Sequence, residues 1–342
     1  MKLITWLCAC LCCGSAAATE FVLRTDGGGI FGEPRSVTTR YEDTLLDIAR
    51  ANSLGYEEIT RVNPGVDPWL PGANRQIALP SQRVLPPGPR EGIVVNLPEH
   101  RLYYFPKPKR GEPTRVLTFP VSIGKMDWRT PLGTTSIVDK RRNPVWNPPN
   151  SVREEHAARG DPLPASVPAG PDNPLGAFAM RLGIPGGSYL IHGTNNPAAV
   201  GMAVTHGCIR MYPEDIERLF PLVPIGTSVT LINEPIKIAW VEGQLWLEVH
   251  PPVNSEGQTI EPDLEDFSRR LDLVLGRQQA AIYWDFAKAV LKQAQGTPVV
   301  VGLEAFLSAD EAPLETLALT PMPDDILNPE PTATSPTTAP SP

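Results

Sequence analysis

Apolar residues recur at helical spacing near the start of this chain and at strand spacing beyond residue 90. Leu45, Ile48 and Ala49 stand at i, i+3 and i+4. They predict a helix over 44–51 with Asp43 or Thr44 as its cap. A second helix is expected over 56–62, stopped by Asn63-Pro64-Gly65. Strands are expected at 36–40 and 76–80, so residues 36–80 read as a strand–helix–helix–strand unit. Residues 19–35 are Gly-rich and read as a loose leader. Residues 81–90 (SQRVLPPGPR) read as a Pro-rich linker.

Past the linker, β-branched and aromatic runs dominate. Residues 92–97 and 101–105 flank Pro98-Glu99-His100 and predict a hairpin. Further strands are expected at 116–123, 134–139, 188–192 and 228–232. One short helix is expected at 213–220, with Glu214, Asp215 and Glu217 near its start. Residues 140–187 are rich in Pro, Gly and Arg and read as a long loop, a length that is often functional. This makes a mostly-β domain over 90–235. A second hairpin is expected over 236–250 around Glu242-Gly243. Helices at 262–275 and 278–294 and a strand at 299–301 complete a small α/β appendix over 236–307.

Composition changes the reading at the two ends. The chain has 342 residues, 40 of them Pro, and a net charge of −8. An apolar fraction of 41% excludes a wholly disordered chain. The acidic balance excludes a nucleic-acid binder that works by bulk positive charge. No apolar run approaches the ~18 residues of a membrane span. Residues 308–342 hold eight Pro and six acids with no base and read as a disordered tail. Residues 90–233 carry 16 Lys or Arg against 12 Asp or Glu, a mildly basic face.

Four of the five cysteines, Cys8, Cys10, Cys12 and Cys13, lie in MKLITWLCACLCCGSAAATE. Lys2, a short apolar run and Ala16-Ala17-Ala18 form a secretory signal spanning 1–18. Leu7-Cys8-Ala9-Cys10 leaves a lipoprotein reading open. Export would take the protein to an oxidising compartment and leave one thiol, Cys208, with no partner for an internal disulfide.

Cys208 stands in Thr205-His206-Gly207-Cys208-Ile209-Arg210, and His192 opens His192-Gly193-Thr194-Asn195. A nucleophilic thiol needs a base or cation beside it and donors for the oxyanion it creates. His192, at a strand end, could be that base, and Gly207 permits a tight turn. Two other readings stay open on the residues alone. Cys208 could be a buried filler, or His192, His206 and Cys208 could bind zinc with a fourth ligand elsewhere. The order of His192 before Cys208 is not that of a papain-like protease.

The two segments, with Val121-Ser122-Ile123-Gly124-Lys125 and Thr130-Pro131-Leu132-Gly133 upstream, resemble the L,D-transpeptidase family, the YkuD-type catalytic domain. Residues 43–45, 48–49, 59, 63–64, 71–72 and 77–80 resemble a LysM domain, a glycan-binding module. Glu42 departs from the Gly usual in that family. The resemblance implies a β-sandwich catalytic domain and a cofactor-free, metal-free acyl transfer on peptidoglycan stem peptides. Cys208 is then the nucleophile and His192 the general base, with the Gly193 carbonyl orienting its ring. His206 and Gly207 shape the loop and the oxyanion hole. Arg210, Thr205, Thr194 and Tyr189 are the candidate substrate-side residues, and Arg210 would bind or brace a carboxylate. Residues 126–128 and 140–187 would form a lid and the stem-peptide grooves. The acceptor would be another stem's diaminopimelate, a lysine on an outer-membrane lipoprotein, or water, as in an L,D-carboxypeptidase. A wall-binding protein with a dead enzyme fold is the non-catalytic alternative. Carbapenems would acylate Cys208, and the LysM-like unit, hung on its linker, would hold the enzyme on glycan.

Overall fold

The computed structural model describes residues 19–24, 29–124, 130–186, 189–252 and 260–305. The signal segment, residues 126–128 and the acidic tail lie outside the described residues. Along the chain the first elements are β1 (Thr19–Val22), β2 (Ile30–Phe31) and β3 (Arg35–Thr38). They are followed by α1 (Leu45–Ala51), α2 (Tyr56–Arg61), β4 (Gln76–Leu79) and β5 (Arg83–Val84). The Thr44 hydroxyl caps α1 by accepting from the Asp47 N–H. β3 and β4 pair antiparallel, and Leu45, Ala49, Ile59 and Ile77 bury together between helices and strands. Asn63, just past α2, clamps the helix to β4, giving its amide to the Ile59 and Ala78 carbonyls and accepting from the Ala78 N–H.

The middle of the chain supplies β6 (Gly92–Asn96), β7 (Arg101–Phe105), β8 (Arg115–Pro120), β9 (Ile123–Gly124) and β10 (Gly133–Arg142). Then come α3 (Asn150–Ala158), β11 (Phe178–Leu182), β12 (Leu190–His192), β13 (Ala203–Thr205) and β14 (Ile209–Arg210). α4 (Pro213–Leu222) and β15 (Ser228–Ile232) close this part. Among the described residues nine strands form one curled sheet, in the order β1-β8-β7-β6-β15-β10-β11-β12-β14. The protein is mostly β, as its sequence pattern predicts.

β6, β7 and β8 are apolar on both faces, so both faces need cover. Ile93, Val95, Leu102, Leu117 and Phe119 point into the main core, which α4 closes with Ile216, Leu219 and Phe220. The alternate residues Val94, Tyr103, Phe105 and Val116 point the other way and meet Leu23, Phe31 and Leu85. That second layer corrects two expectations. The loose leader contains β1, paired along β8, and β2, paired with β5. The linker contains β5, where Arg83 and Val84 are buried. Both segments lack a clear period, but they supply the apolar cover that β6–β8 demand.

Residues 140–187 are also more than a loop, since they hold α3 and β11. Phe178-Ala179-Met180-Arg181-Leu182 has no β-branched residue to announce a strand, yet it is an inner strand between β10 and β12. The appendix follows the expected hairpin, β16 (Ile236–Val241) and β17 (Gln244–Val249), turned by Glu242 and Gly243 at φ 51° and 76°. Next come α5 (Leu264–Leu275), β18 (Ala280–Ile282), α6 (Trp284–Gln293) and β19 (Val299–Glu304). The helix expected from 278 starts at Trp284, because Ala280–Ile282 pair with β19 instead. Tertiary pairing there overrides the helix preference of alanine.

Buried charge joins these parts. Arg101 of β7 reaches α2: its Nε donates to Glu58 Oε1 at 2.8 Å and its Nη2 to Glu58 Oε2 at 2.9 Å. Arg83 adds a contact of 2.9 Å. Burial pushes the Glu58 carboxyl up, but Arg101, Arg83 and the Gly55 N–H outweigh it and hold its pKa at about 2. On the appendix side, Lys237 is fully buried against Glu99 and Glu248, and His250 Nε2 sits 2.7 Å from Glu248. Glu99, Glu248 and His250 are close enough together to hold a cation, and the Lys237 ammonium supplies one. The described part of 19–305 is thus one compact unit. The 36–80 unit is docked, which corrects the expectation of a module hung on a linker. No described helix is long and apolar enough to cross a membrane.

Candidate active site

β12 and β14 run parallel, with Ile191 opposite Ile209 and His192 opposite Arg210. Both isoleucines are fully buried in the main core. Strand alternation therefore turns His192 and Arg210 to the other face. Cys208 enters β14 two residues before Arg210 and shares that face. Two parallel strands, one of them the last in the sheet and set in register by a pair of isoleucines, thus put His192 and Cys208 on one face.

The approach to Cys208 is held by hydroxyls. Gly207 takes φ 91°, a conformation that L side chains rarely adopt. Thr205 Oγ1 donates to the Cys208 carbonyl at 2.6 Å. Thr130 Oγ1 donates to the Gly207 carbonyl at 3.1 Å and accepts from the Gly124 N–H at 3.2 Å. β13, just upstream, pairs parallel with β9. His206 Nε2 lies 2.8 Å from Glu155 Oε2 on α3, so the segment expected to be a lid carries a helix against the Cys208 loop.

His192 is 4% exposed, and its Nδ1 lies 2.6 Å from the Gly193 carbonyl. A carbonyl only accepts, so in the neutral ring Nδ1 carries the hydrogen and Nε2 keeps its lone pair. Burial, and then the Arg210 charge, lower the His192 pKa to about 3; the Gly193 and Leu175 carbonyls pull the other way. Burial raises the Cys208 thiol pKa, while a Leu190 backbone hydrogen bond and the Arg210 charge work against it. Burial therefore favours the neutral form of both groups. His192 can take a proton, and its two carbonyl neighbours favour the imidazolium that results. Burial lowers the Arg210 pKa as well, and its buried Nε has no hydrogen-bond partner among the described residues.

The other candidate residues sit around this centre in different ways. Thr205 is 2% exposed and its hydroxyl is committed to the loop. Thr194 Oγ1 accepts from the Asn196 N–H at 2.9 Å. Tyr189 packs against the main core, on the same alternation as Ile191. Gly193 closes tightly, since a Cβ there would stand 3.2 Å from Ile216 Cγ2 and 3.3 Å from the Leu175 carbonyl.

Three residues of the site's frame carry no local sequence signal for it, whereas Thr130 lies in a segment singled out above. Glu155 is already described. Asn173, fully buried, donates to the Pro144 carbonyl at 2.8 Å and accepts from the Leu175 N–H at 2.9 Å. Gly176, at φ 66°, lets the chain pass Thr194, whose N would lie 2.8 Å from a Cβ. The Asn173-Pro174 pair announces a turn, but nothing local says that the turn backs His192.

Comparison with known proteins places the chain by sequence. Residues 90–231 match the YkuD family model, the L,D-transpeptidase catalytic domain. The chain is 42% identical over 245 residues to the probable L,D-transpeptidase YcfS of Escherichia coli K12, covering 70% of this chain and 75% of that one. It is 40% identical over 259 residues to the probable L,D-transpeptidase YbiS of the same strain, covering 73% and 82%. With the probable L,D-transpeptidase ErfK/SrfK of that strain the figures are 35% over 294 residues, covering 84% and 92%. A matched catalytic domain and relatives covered over most of their length lead to one conclusion: this chain belongs to the L,D-transpeptidase family and is an enzyme of that type.

Proposed function

We propose that the protein transfers acyl groups between peptidoglycan stem peptides through a Cys208 thioester. The observation that carries this reading is the shared face of His192, Cys208 and Arg210, with His192 neutral. Cys208 Sγ attacks the diaminopimelate carbonyl of a donor tetrapeptide, and its proton passes to His192 Nε2. The C–N bond to the terminal D-Ala breaks, His192 returns the proton to the leaving amine, and a thioester remains. The incoming amine then attacks the thioester, gives its proton to His192 and frees the thiol. The amides of the turn at 206–208 receive the oxyanion. Arg210, with an unpartnered buried Nε, offers the stem a charge-assisted donor for a carboxylate.

The acceptor is a second stem's diaminopimelate, or the lysine of an outer-membrane lipoprotein. The place of action is the periplasm, reached through the signal segment. The βααβ unit contacts glycan through Tyr41, Trp69 and Leu70, which are 86%, 60% and 78% exposed on its loops; aromatic rings of this kind stack on sugars. Incubating the protein with purified muropeptides and weighing the products tests the reading. Loss of D-Ala with formation of a cross-linked dimer supports it. Loss of D-Ala without a dimer makes the enzyme an L,D-carboxypeptidase, and no loss rejects catalysis on this substrate.

A further inference from the structure

The 36–80 unit touches the catalytic loop through its backbone. Residues 200–202 lead into β13 and so into His206-Gly207-Cys208. The Tyr56 N–H, the first of α2, donates to the Val200 carbonyl at 3.0 Å, and the Glu57 N–H to the Gly201 carbonyl at 3.4 Å. The contact is too close for side chains. Gly201 has φ 90°, and a Cβ on it would stand 2.4 Å from Gly55 Cα and 2.5 Å from Tyr56 N. His100 Nδ1 holds the same Gly201 carbonyl at 2.9 Å. Glu58 fixes the donor side: it accepts from the Gly55 N–H at 2.7 Å while Arg101 and Arg83 grip its carboxylate. The next link of the chain is tied to the sheet, since Ile123 N donates to the Met202 carbonyl at 3.2 Å.

We infer that the Tyr56 and Glu57 amides are positioning groups for the Cys208 loop, so that the βααβ unit is part of the active-site frame. The inference rests on the reading of Cys208 as nucleophile. Four residues separate Gly201 from His206, and β13, anchored on β9, supplies three of them. A shift of the 200–202 carbonyls passes along this strand to the Gly207 turn. Displacing a catalytic group by about 1 Å can cost on the order of a hundredfold in rate.

The test separates the amide from the side chain. Tyr56→Pro removes the N–H that serves Val200 and keeps the helix, because proline is accepted at the first helical position. Gly55 before it is already extended, at φ −90° and ψ 165°, as a residue preceding proline requires. Tyr56→Ala keeps the N–H and removes the ring. Both are made in the full chain and compared for D-Ala release from muropeptides and for the rate of Cys208 alkylation by iodoacetamide across pH. Tyr56→Pro is expected to lose roughly tenfold or more in kcat, with KM within about twofold and an altered alkylation profile. Tyr56→Ala should stay near the parent in both. Equal kcat and equal alkylation for the two variants would overturn the inference. Should Tyr56→Pro fail to fold, Gly55→Ala takes its place: its φ suits alanine, and its Cβ would press on Gly201 Cα from 2.7 Å. It should show the same loss, and parent-like kinetics would count against the inference. Retained turnover in Cys208→Ala would reject the nucleophile alone, because alkylation of Cys208 still reports the position of the loop.

Discussion

The face that holds His192 and the seam that holds Glu58 are both buried, yet they treat charge in opposite ways. At the seam, two guanidiniums surround one carboxylate, and attraction beats burial, so Glu58 stays ionised down to about pH 2. At the active site, burial wins: His192 stays neutral to about pH 3 and the Cys208 thiol is raised. The seam spends its charges on cohesion. On the His192 face the one named charge, Arg210, lowers the His192 pKa further and offers it no counter-charge. A low-dielectric interior serves both ends, and the presence or absence of a fixed counter-charge decides which one.

The largest effect expected on this contrast comes from Cys208→Ala. It should lower D-Ala release by several orders of magnitude and leave the urea midpoint close to the parent's. Intact mass should show one carbapenem adduct on the parent and none on the variant. Turnover near the parent level would remove Cys208 from the mechanism. At the seam, Glu58→Ala leaves Arg101 and Arg83 buried without their carboxylate. It should cost about 3–5 kcal/mol in urea unfolding. For the same reason, a chain that starts near Arg90 should not fold as a soluble domain, since it also lacks Phe31 and Leu85.

Titration sharpens the comparison. The acid limb of kcat/KM should show no step near 6.5, the ordinary histidine value, because His192 protonates only near 3. A clear step at 6.5 would show that the working histidine is not buried and neutral. Stability should also fall on acidification, and the signs agree. His192 and His250, lowered to about 3 and about 4 mainly by burial, are below their unfolded values. The unfolded chain then binds the extra protons, and stability is lost as pH drops below 6.5. Glu58 and Glu248, both near 2, add their loss as pH falls from about 4.5 towards 2.

Asp215 at the start of α4 behaves in the opposite sense. Burial, then Glu214, raise its pKa to about 7. Its folded value exceeds the unfolded one, so its contribution is fully present below about pH 4 and is lost as pH rises to 7. Asp215→Asn should therefore gain on the order of 1–3 kcal/mol at pH 8 and nothing at pH 4, read by thermal melts at both. The smallest effect belongs to Arg50→Ala. Arg50 forms a two-point ion pair with Glu214 at 2.8 and 2.9 Å, but both side chains are more than a third exposed. Its loss should cost no more than about 1 kcal/mol.

Much of the fold is written in short stretches of sequence. Leu45, Ile48 and Ala49 mark α1, the two β-rich runs around Pro98 mark β6 and β7, and Glu242-Gly243 marks the turn of the second hairpin. Cys208 and His192 stand out as candidates because one thiol and two histidines share two Gly-containing segments. These signals are local, and a helical or alternating period survives without knowledge of the rest of the chain.

The remaining structure depends on partners distant in sequence. β1 is a strand because β8 offers it an edge. β5 is buried because β6–β8 leave an apolar face uncovered, and Ala280–Ile282 are extended because β19 lies beside them. Glu58 and Arg101 are 43 residues apart, and neither announces the other. The amino-acid sequence alone determined the local elements and singled out Cys208 and His192 as candidates. Tertiary structure alone decided that His192 is neutral, that α3 rests on His206, and that the βααβ unit holds the Val200 and Gly201 carbonyls. The reason is that burial and counter-charge are properties of three-dimensional neighbourhoods, and periodicity along a chain does not carry them.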